Sequence, residues 1–239
     1  MPRITKISTA VVQANFHWTY VRVYSNGDGG LYGTGECFFA PGLTRIIEEF
    51  APVLVGEDFC NIERLVEKMR WAASGTGSTG GIIWNAITGI EAALWDLKGK
   101  YLGQPVWQLL GGKFRNVDAG ADFGVQDSLD MLIAKIQTAV DAGYPRVKLK
   151  FRPGWDLNML DAVRSTFPSQ VFHIDCNSGY TIADADLFRK VDHYDLAMIE
   201  QPLQYDDLID HAALQKMIET PICLDESVKS LRDAEMALR

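Results

Sequence analysis

The chain has 239 residues, of which 47% are hydrophobic and 23% charged, a composition typical of soluble globular proteins with one large or two ordinary domains. Its formal net charge is −8 and it has no long basic run, which argues against nucleic acid and against an anionic membrane surface as partners. The N-terminus lacks a signal pattern, no apolar run approaches the roughly 20 residues of a membrane span, and four cysteines without metal-type spacing favour reduced thiols in the cytoplasm.

The first third of the chain is predicted to combine antiparallel strands with helices. Apolar residues alternate in TKISTAVVQ and TYVRVYS, NGDGG indicates a turn, and LYGTGECFF indicates a third strand. From Leu43 the spacing becomes helical, and a glycine-rich loop follows over residues 74–81. The clearest helix covers residues 83–101, where apolar residues recur in steps of three and four, and it ends at Gly103 and Pro105.

From about Val117 the chain alternates short apolar runs with helix-length segments. We count five such strand–helix units, ending with the run PICLD and the segment LRDAEMALR. Alternation with short links predicts parallel strands joined by crossover helices. The fold class is therefore α/β, preceded by an α+β region.

Three acidic residues recur at one interval in this second part. Asp175, Glu200 and Asp225 are spaced by 25 residues, and each ends a short apolar run. The strands of a (β/α) barrel are parallel, so their C-terminal ends converge on a single face. Three carboxylates at that face suit Mg²⁺, with Mn²⁺ as the alternative, because these cations prefer oxygen ligands.

Polar residues flank the three acids. Lys148 and Lys150 lie two positions apart in the run VKLK, so both side chains point to the same face of a strand. Asn177, Gln201 and Glu226 follow the acids by one or two positions. They are candidates for orienting the carboxylates, although capping the next helices would explain them equally well.

These motifs together resemble the enolase superfamily over nearly the full chain. The helix IEAALWDLKGKYLGQPVWQLLGG, residues 90–112, is similar to the segment that closes the superfamily's capping domain, and KLK, IDCN, IEQP and LDES are similar to the ends of barrel strands two to five. The resemblance implies an α+β capping domain over residues 1–113. It also implies a partial (β/α)8 TIM-type barrel of about five units over residues 114–239.

The two parts of the chain resemble different subgroups of the superfamily. The aspartate of LDES resembles the muconate-lactonizing subgroup, and PGWD, EQPL and TPICLDES are most similar to the o-succinylbenzoate synthase and N-acylamino acid racemase branch. The first-domain segment NFHWTYVRVYSNGDGGLYGTGE instead resembles mandelate racemase-type or sugar-acid dehydratase caps.

The resemblance implies an isomerase or lyase that removes a proton α to a carboxylate and forms a Mg²⁺-stabilised enediolate. Asp175, Glu200 and Asp225 would hold the metal, and Lys150 would act as general acid and base. Lys148 would hold a substrate carboxylate oxygen and favour the neutral form of Lys150. An acid-sugar dehydratase with the same site is the alternative within the superfamily.

Aromatic residues of the first domain are candidates for substrate contacts. In the superfamily the loop that closes over the active site corresponds to Phe16, His17 and Trp18, and Phe38 and Phe39 follow the GTGE turn. Packing of these rings within the domain explains them as well. The remaining histidines look structural: His173 lies within a strand, and His193 and His211 are expected on helix or loop surfaces.

The resemblance also predicts parts beyond Arg239. A full barrel has eight strand–helix units, and the superfamily's second lysine, at the end of strand six, would follow residue 239. The open edge at strand five predicts a homo-oligomer or a complementing C-terminal segment as partner, beside a small carboxylate substrate. A catalytically incompetent fragment that acts only in binding or assembly is the alternative to the enzyme.

Overall fold

Two sheets organise the chain in the computed structural model, one of three antiparallel strands and one of five parallel strands. The chain divides into two compact units, residues 1–115 and 116–239, and each unit has its own apolar core. The structure describes these residues: 2–14, 16–27, 29–74, 81–113 and 116–239.

The first unit is an antiparallel sheet with helices. Its elements are β1 (Ile4–Gln13), β2 (His17–Ser25), β3 (Tyr32–Phe38), α1 (Leu43–Leu54), α2 (Ile62–Ser74), α3 (Ile82–Leu102) and α4 (Val106–Leu109). The strands pair in the order β1-β2-β3. Alternation along β2 buries Val21 and Val23 and leaves Arg22 exposed, as the sequence pattern predicts. Helix α3 agrees with the predicted helix, and Gly103 follows it in the left-handed conformation.

Helix α3 approaches β3 so closely that the strand can carry only glycine at the contact. A Cβ atom on Gly33 would lie 1.9 Å from the carbonyl oxygen of Ala93, and one on Gly35 would lie 2.1 Å from that of Gly89. Real Cβ atoms do not approach a carbonyl oxygen to such distances. The pattern YGTGE therefore sets how near the helix lies to the sheet.

The second unit alternates strands and helices throughout. Its elements are β4 (Gly120–Phe123), α5 (Leu129–Asp141), β5 (Arg146–Lys150), α6 (Leu157–Thr166), β6 (Val171–Asp175), α7 (Ala185–Val191), β7 (Ile199–Glu200), α8 (Leu208–Gln215), β8 (Ile222–Cys223) and α9 (Leu231–Ala237), with 3₁₀ turns at Ile182–Asp184 and Asp192–Tyr194. The strands are parallel and pair in chain order, β4 to β8. This confirms the predicted α/β class and the five strand–helix units of a partial barrel.

Side-chain caps begin most helices of the second unit shortly after a strand ends. Ser128, Asp156, Asp207 and Ser230 each accept a hydrogen bond from a backbone N–H of the first turn that follows. Such caps satisfy amide groups that would otherwise lack partners. The caps therefore fix the residue at which each of these helices begins after its strand.

One detail corrects the sequence predictions. His211 is buried rather than on a surface, and its Nε2 atom accepts a hydrogen bond from the backbone N–H of Leu203.

Two predictions fall on segments outside the described residues. The predicted loop at 74–81 falls mostly on residues 75–80, and the predicted domain boundary adjoins residues 114–115. The loop and the boundary therefore stay predictions. Among the helices that the structure describes, none has the length and apolarity to cross a membrane.

The contact between β3 and α3 generates a stability prediction. We expect Gly33→Ala to lower the free energy of unfolding by about 3 kcal/mol. The new methyl group would clash with backbone atoms of α3, and a helix backbone cannot move aside as a flexible side chain can. Urea denaturation followed by circular dichroism measures the effect. Gly124→Ala is the control, since its Cβ atom would meet open space; equal stability of the two variants would contradict the close-approach argument.

Candidate active site at the ends of the parallel strands

Neighbouring strands place lysines and acids in one row. In the parallel register, Lys150 of β5 lies opposite Asp175 of β6, Asp175 lies opposite Glu200 of β7, and Glu200 lies opposite Cys223 of β8. The sheet therefore brings together, at its C-terminal edge, side chains that are 25 residues apart in sequence, as the barrel argument predicts.

Two lysine ammonium groups share these acids. The Nζ atom of Lys148 lies 2.9 Å from Oδ2 of Asp175 and 2.7 Å from Oε1 of Glu200. The Nζ atom of Lys150 lies 2.6 Å from the same Oδ2 of Asp175. Because Asp175 is only 1% exposed, its charge depends on these two partners.

The pKa shifts follow from these contacts. Burial alone would raise the pKa of Asp175, but hydrogen bonds from Lys150 and Lys148 and from the backbone N–H of Asn177 lower it below its ordinary value. Burial alone would lower the pKa of Lys148, but its contacts with Glu200 and Asp175 raise it overall. The pair therefore stays ionised at neutral pH.

A second partner of Lys150 comes from the loop after β6. The side-chain oxygen of Asn177 accepts a hydrogen bond of 2.8 Å from Lys150, and its amide group donates to Glu226 at 3.2 Å. Asn177 adopts a left-handed backbone conformation with φ of 43°, which asparagine tolerates better than most residues. Glu226 thus contacts Lys150 through Asn177.

Gln201 connects the loops after β7 and β8. Its side-chain oxygen accepts hydrogen bonds from the backbone N–H groups of Asp225 and Ser227, and its amide group donates to the Ser227 hydroxyl at 2.7 Å. Gln201 is fully buried and has φ of 38°, an unusual conformation for a non-glycine residue. The side chain therefore determines where the Asp225 loop lies.

Asp225 differs from the other two acids. Strand β8 ends at Cys223, so Asp225 lies two residues past the strand on an exposed loop, whereas Asp175 and Glu200 each end a strand. In the part of the chain that the structure describes, no three histidine, cysteine, aspartate or glutamate side chains lie close enough to hold a metal ion together. The structure brings Asp175 and Glu200 together, and the role of Asp225 as a third ligand stays a prediction.

The five aromatic candidates of the first unit form two groups, one of Phe16, Trp18 and Phe38 and one of His17 and Phe39. The ring centroids of Trp18 and Phe38 lie 5.2 Å apart, Phe16 lies within 6.1 Å of both, and His17 lies 5.4 Å from Phe39. Phe16, Phe38 and Phe39 are exposed. These ring contacts agree with packing within the unit, and the exposed rings also leave apolar surface for a ligand, so the role of the five residues in substrate binding stays a prediction.

His173 is not among the site residues predicted from the sequence. His173, expected to be structural, lies two positions before Asp175 on the same strand face, and its Nε2 atom lies 3.7 Å from Oε2 of Glu200. The alternation of side chains along β6 was the available signal, because residues two apart in a strand share a face.

Comparisons with known proteins agree with this geometry. Residues 3–111 match the family described as mandelate racemase/muconate lactonizing enzyme, N-terminal domain, and residues 131–239 match the family described as enolase C-terminal domain-like. Together the two matches cover most of the chain, with one in each compact unit.

Three curated relatives show the range of similar enzymes. An o-succinylbenzoate synthase of Geobacillus kaustophilus is 46% identical over 64% of this chain and 41% of its own length. An N-succinylamino acid racemase of Thermus thermophilus is 39% identical over 82% and 52%. A D-xylonate dehydratase of Haloferax volcanii is 32% identical over 94% and 60%. The chain spans about half the length of the curated relatives it matches.

Solved structures share the fold. A mandelate racemase/muconate lactonizing enzyme-like protein of Rubrobacter xylanophilus is 31% identical, with a TM-score of 0.88 over 99% of this chain and 69% of its own. A racemase of Streptomyces coelicolor with bound magnesium is 26% identical, with a TM-score of 0.88 over 99% and 74%.

The shared ammonium of Lys148 generates a second prediction. Lys148→Met removes the cation between two carboxylates, so we expect a loss of about 3 kcal/mol in unfolding free energy when divalent cations are chelated. Lys148→Arg keeps the charge and is the matched control. The measurement is denaturant unfolding in EDTA; a methionine variant as stable as the unaltered chain would show that the ion pairs contribute little.

Proposed function

Since the chain belongs to the mandelate racemase/muconate lactonizing enzyme family of the enolase superfamily, we propose that it serves an isomerase or lyase reaction. The reaction begins with removal of a proton α to a carboxylate and passes through an enediolate. The observation that carries the proposal is the convergence of Lys148, Lys150, Asp175 and Glu200 at adjacent strand ends.

The chemistry explains why lysines and acids occur together. A proton beside a carboxylate is very weakly acidic, so its removal needs a base and concentrated positive charge at the developing enediolate. Lys150 is the proposed base, because Asp175 and Asn177 fix the position of its amine. Lys148 is the proposed contact for a substrate carboxylate oxygen, and its ammonium group supplies positive charge beside the base.

The acids fit a hard divalent cation in part. Asp175 and Glu200 already place carboxylate oxygens within 3 Å of one positively charged nitrogen, and such oxygens are the donors that Mg²⁺ prefers, with Mn²⁺ as the alternative. Asp225 is the proposed third ligand, positioned by Gln201. When bound, the cation supplies Lewis-acid stabilisation of the enediolate. The magnesium-bound racemase of similar fold supports this choice of metal.

Three further residues are proposed to orient these groups. Asn177 holds Lys150 and Glu226 at once, while Gln201 holds the backbone beside Asp225. Neighbours that fix carboxylates and bases commonly matter for affinity and rate. In this proposal Asn177, Gln201 and Glu226 act through the side chains they contact rather than on substrate.

The substrate is proposed to be a small carboxylate. The likeness to an o-succinylbenzoate synthase and to an N-succinylamino acid racemase favours a cycloisomerase, synthase or racemase type of reaction. An acid-sugar dehydratase is the second candidate, favoured by a dehydratase relative whose similarity extends over 94% of the chain. Phe16, His17, Trp18, Phe38 and Phe39 remain the candidates for contacts that choose between them.

The cytoplasm is the proposed location of the protein. All four cysteines, each within the described residues, are free thiols, which is usual for a reducing compartment.

Exchange of an α-proton for deuterium tests the proposed step directly. We expect the 239-residue chain with Mg²⁺ to exchange the α-proton of at least one N-acyl amino acid or sugar acid in a panel, detected by NMR in D₂O. Lys150→Met should lower the exchange rate by a factor of about 100 or more, because the general base is lost.

Lys190→Met is the control for that experiment, since Lys190 is exposed in the last turn of α7 and makes none of the contacts described for the site. Undiminished exchange by the Lys150 variant would refute the assignment of the base. Absence of exchange on every substrate would favour the alternative in which the chain acts only in binding or assembly.

A second copy of the chain is the proposed macromolecular partner, and a complementing C-terminal segment is the alternative. Helix α8 and the residue that follows α9 carry apolar side chains that are largely exposed, with Ile209 82% and Leu238 90% accessible. A groove of about 760 Å³ between α8 and α9 is lined by Leu208, Met217 and Met236, among others. Exposed apolar patches of this kind mark interaction surfaces.

Light scattering coupled to gel filtration tests the partner proposal. We expect a species of at least twice the 26.6 kDa chain mass, and we expect Ile209→Lys to convert it to monomer because a charge cannot be buried in the apolar contact. Val117→Lys, at another exposed apolar position, is the control. A well-behaved monomer of the unaltered chain would rule out the second copy.

A further inference from the structure

His173 is a buried histidine in the second unit, beneath the row of lysines and acids. It lies in the middle of β6, opposite Lys148 of β5 and two residues before Asp175, and it is 4% exposed. Its strand neighbours Phe172 and Ile174 are apolar and buried on the other face of the sheet. An imidazole at this depth therefore lies directly under the charged groups of the site.

The two ring nitrogens of His173 have different surroundings. The Nε2 atom lies 3.7 Å from Oε2 of Glu200, whereas Nδ1 is buried and has no hydrogen-bond partner among the described residues. A neutral imidazole carries one N–H, and the proton is best placed on the nitrogen that faces an acceptor. The surroundings therefore favour the tautomer with the proton on Nε2, pointing at the carboxylate.

The oxygens of Glu200 are divided between two partners. Its Oε1 atom accepts from Lys148 at 2.7 Å, and its Oε2 atom faces His173. At 3.7 Å the imidazole contact is longer than a hydrogen bond, and a relative shift of about 0.5 Å would bring it into range. The Lys148 ammonium group and the His173 ring thus face different oxygens of the same carboxylate.

We propose that His173 is a positioning residue that orients the Glu200 carboxylate through its Nε2–H group, so that Glu200 can serve as a ligand for a divalent cation. The inference rests on the proposed function, because it assigns a role to His173 only toward the proposed metal site. An apolar residue would fill the same space in β6, but it would leave Oε2 without an N–H donor. Groups that orient metal-binding carboxylates typically change metal affinity by factors of about 10 to 100 when they are lost.

The test is the affinity of the 239-residue chain for Mg²⁺, measured by calorimetric titration, with EPR of free Mn²⁺ as a second readout. We expect His173→Leu to raise the dissociation constant about 10-fold or more. His173→Gln should restore most of the affinity, because its side-chain amide provides an N–H donor of similar reach. Ile174→Val, which alters packing on the opposite face of the same strand, is the control and should bind as the unaltered chain does.

The outcomes separate this inference from the proposed function. Binding by the unaltered chain that is lost in Glu200→Gln but unchanged in His173→Leu would overturn the inference and leave the proposed function in place. Equal weakening in the leucine and glutamine variants would show that His173 acts only by packing, and would also overturn it. No Mg²⁺ or Mn²⁺ binding by the unaltered chain would overturn the proposed metal site and the inference together.

Discussion

The shared carboxylate of Asp175 is the interaction on which the candidate site depends. A single oxygen, Oδ2, lies within 3 Å of the ammonium groups of both Lys148 and Lys150. An isolated buried carboxylate would be costly, and two lysines packed side by side would repel each other. The acid and the two lysines therefore require one another, and the strand register places all three on one face.

Much of this arrangement could be predicted from the sequence because it follows from two periods. The 25-residue interval of the acids reflects one strand–helix unit, and the two-residue interval of Lys148 and Lys150 reflects one strand face. Both intervals are set by the backbone, so they do not depend on the conformations of the side chains. Gly33 and Gly35 lie in the segment that the sequence predicts as the third strand. The reason that glycine is needed there, a helix backbone within 3 Å of the would-be Cβ atoms, is visible only in the three-dimensional contact.

The rest could not be predicted because it depends on short strands and on individual contacts. Strand β8 ends at Cys223, two residues before the strand end that the 25-residue interval predicts, so Asp225 lies on a loop whereas Asp175 and Glu200 end strands. Its place depends on Gln201, whose buried amide holds the neighbouring backbone. His173 and His211 were judged by residue type and local pattern, which cannot show that one faces Glu200 and the other accepts from Leu203.

The contacts of Asp175 also link the two proposed roles of the lysines. Because Lys148 and Lys150 share Oδ2, any ligand that draws this oxygen away weakens an ion pair of each lysine at once. Lys150 then keeps Asn177 as its partner, and Lys148 keeps Glu200. The amine of Lys150 is thus left beside a neutral amide, whereas Lys148 stays beside a carboxylate. This asymmetry favours Lys150 over Lys148 as the residue that takes up the proton. It arises from Asn177 after β6 and Glu200 on β7 rather than from the lysines themselves.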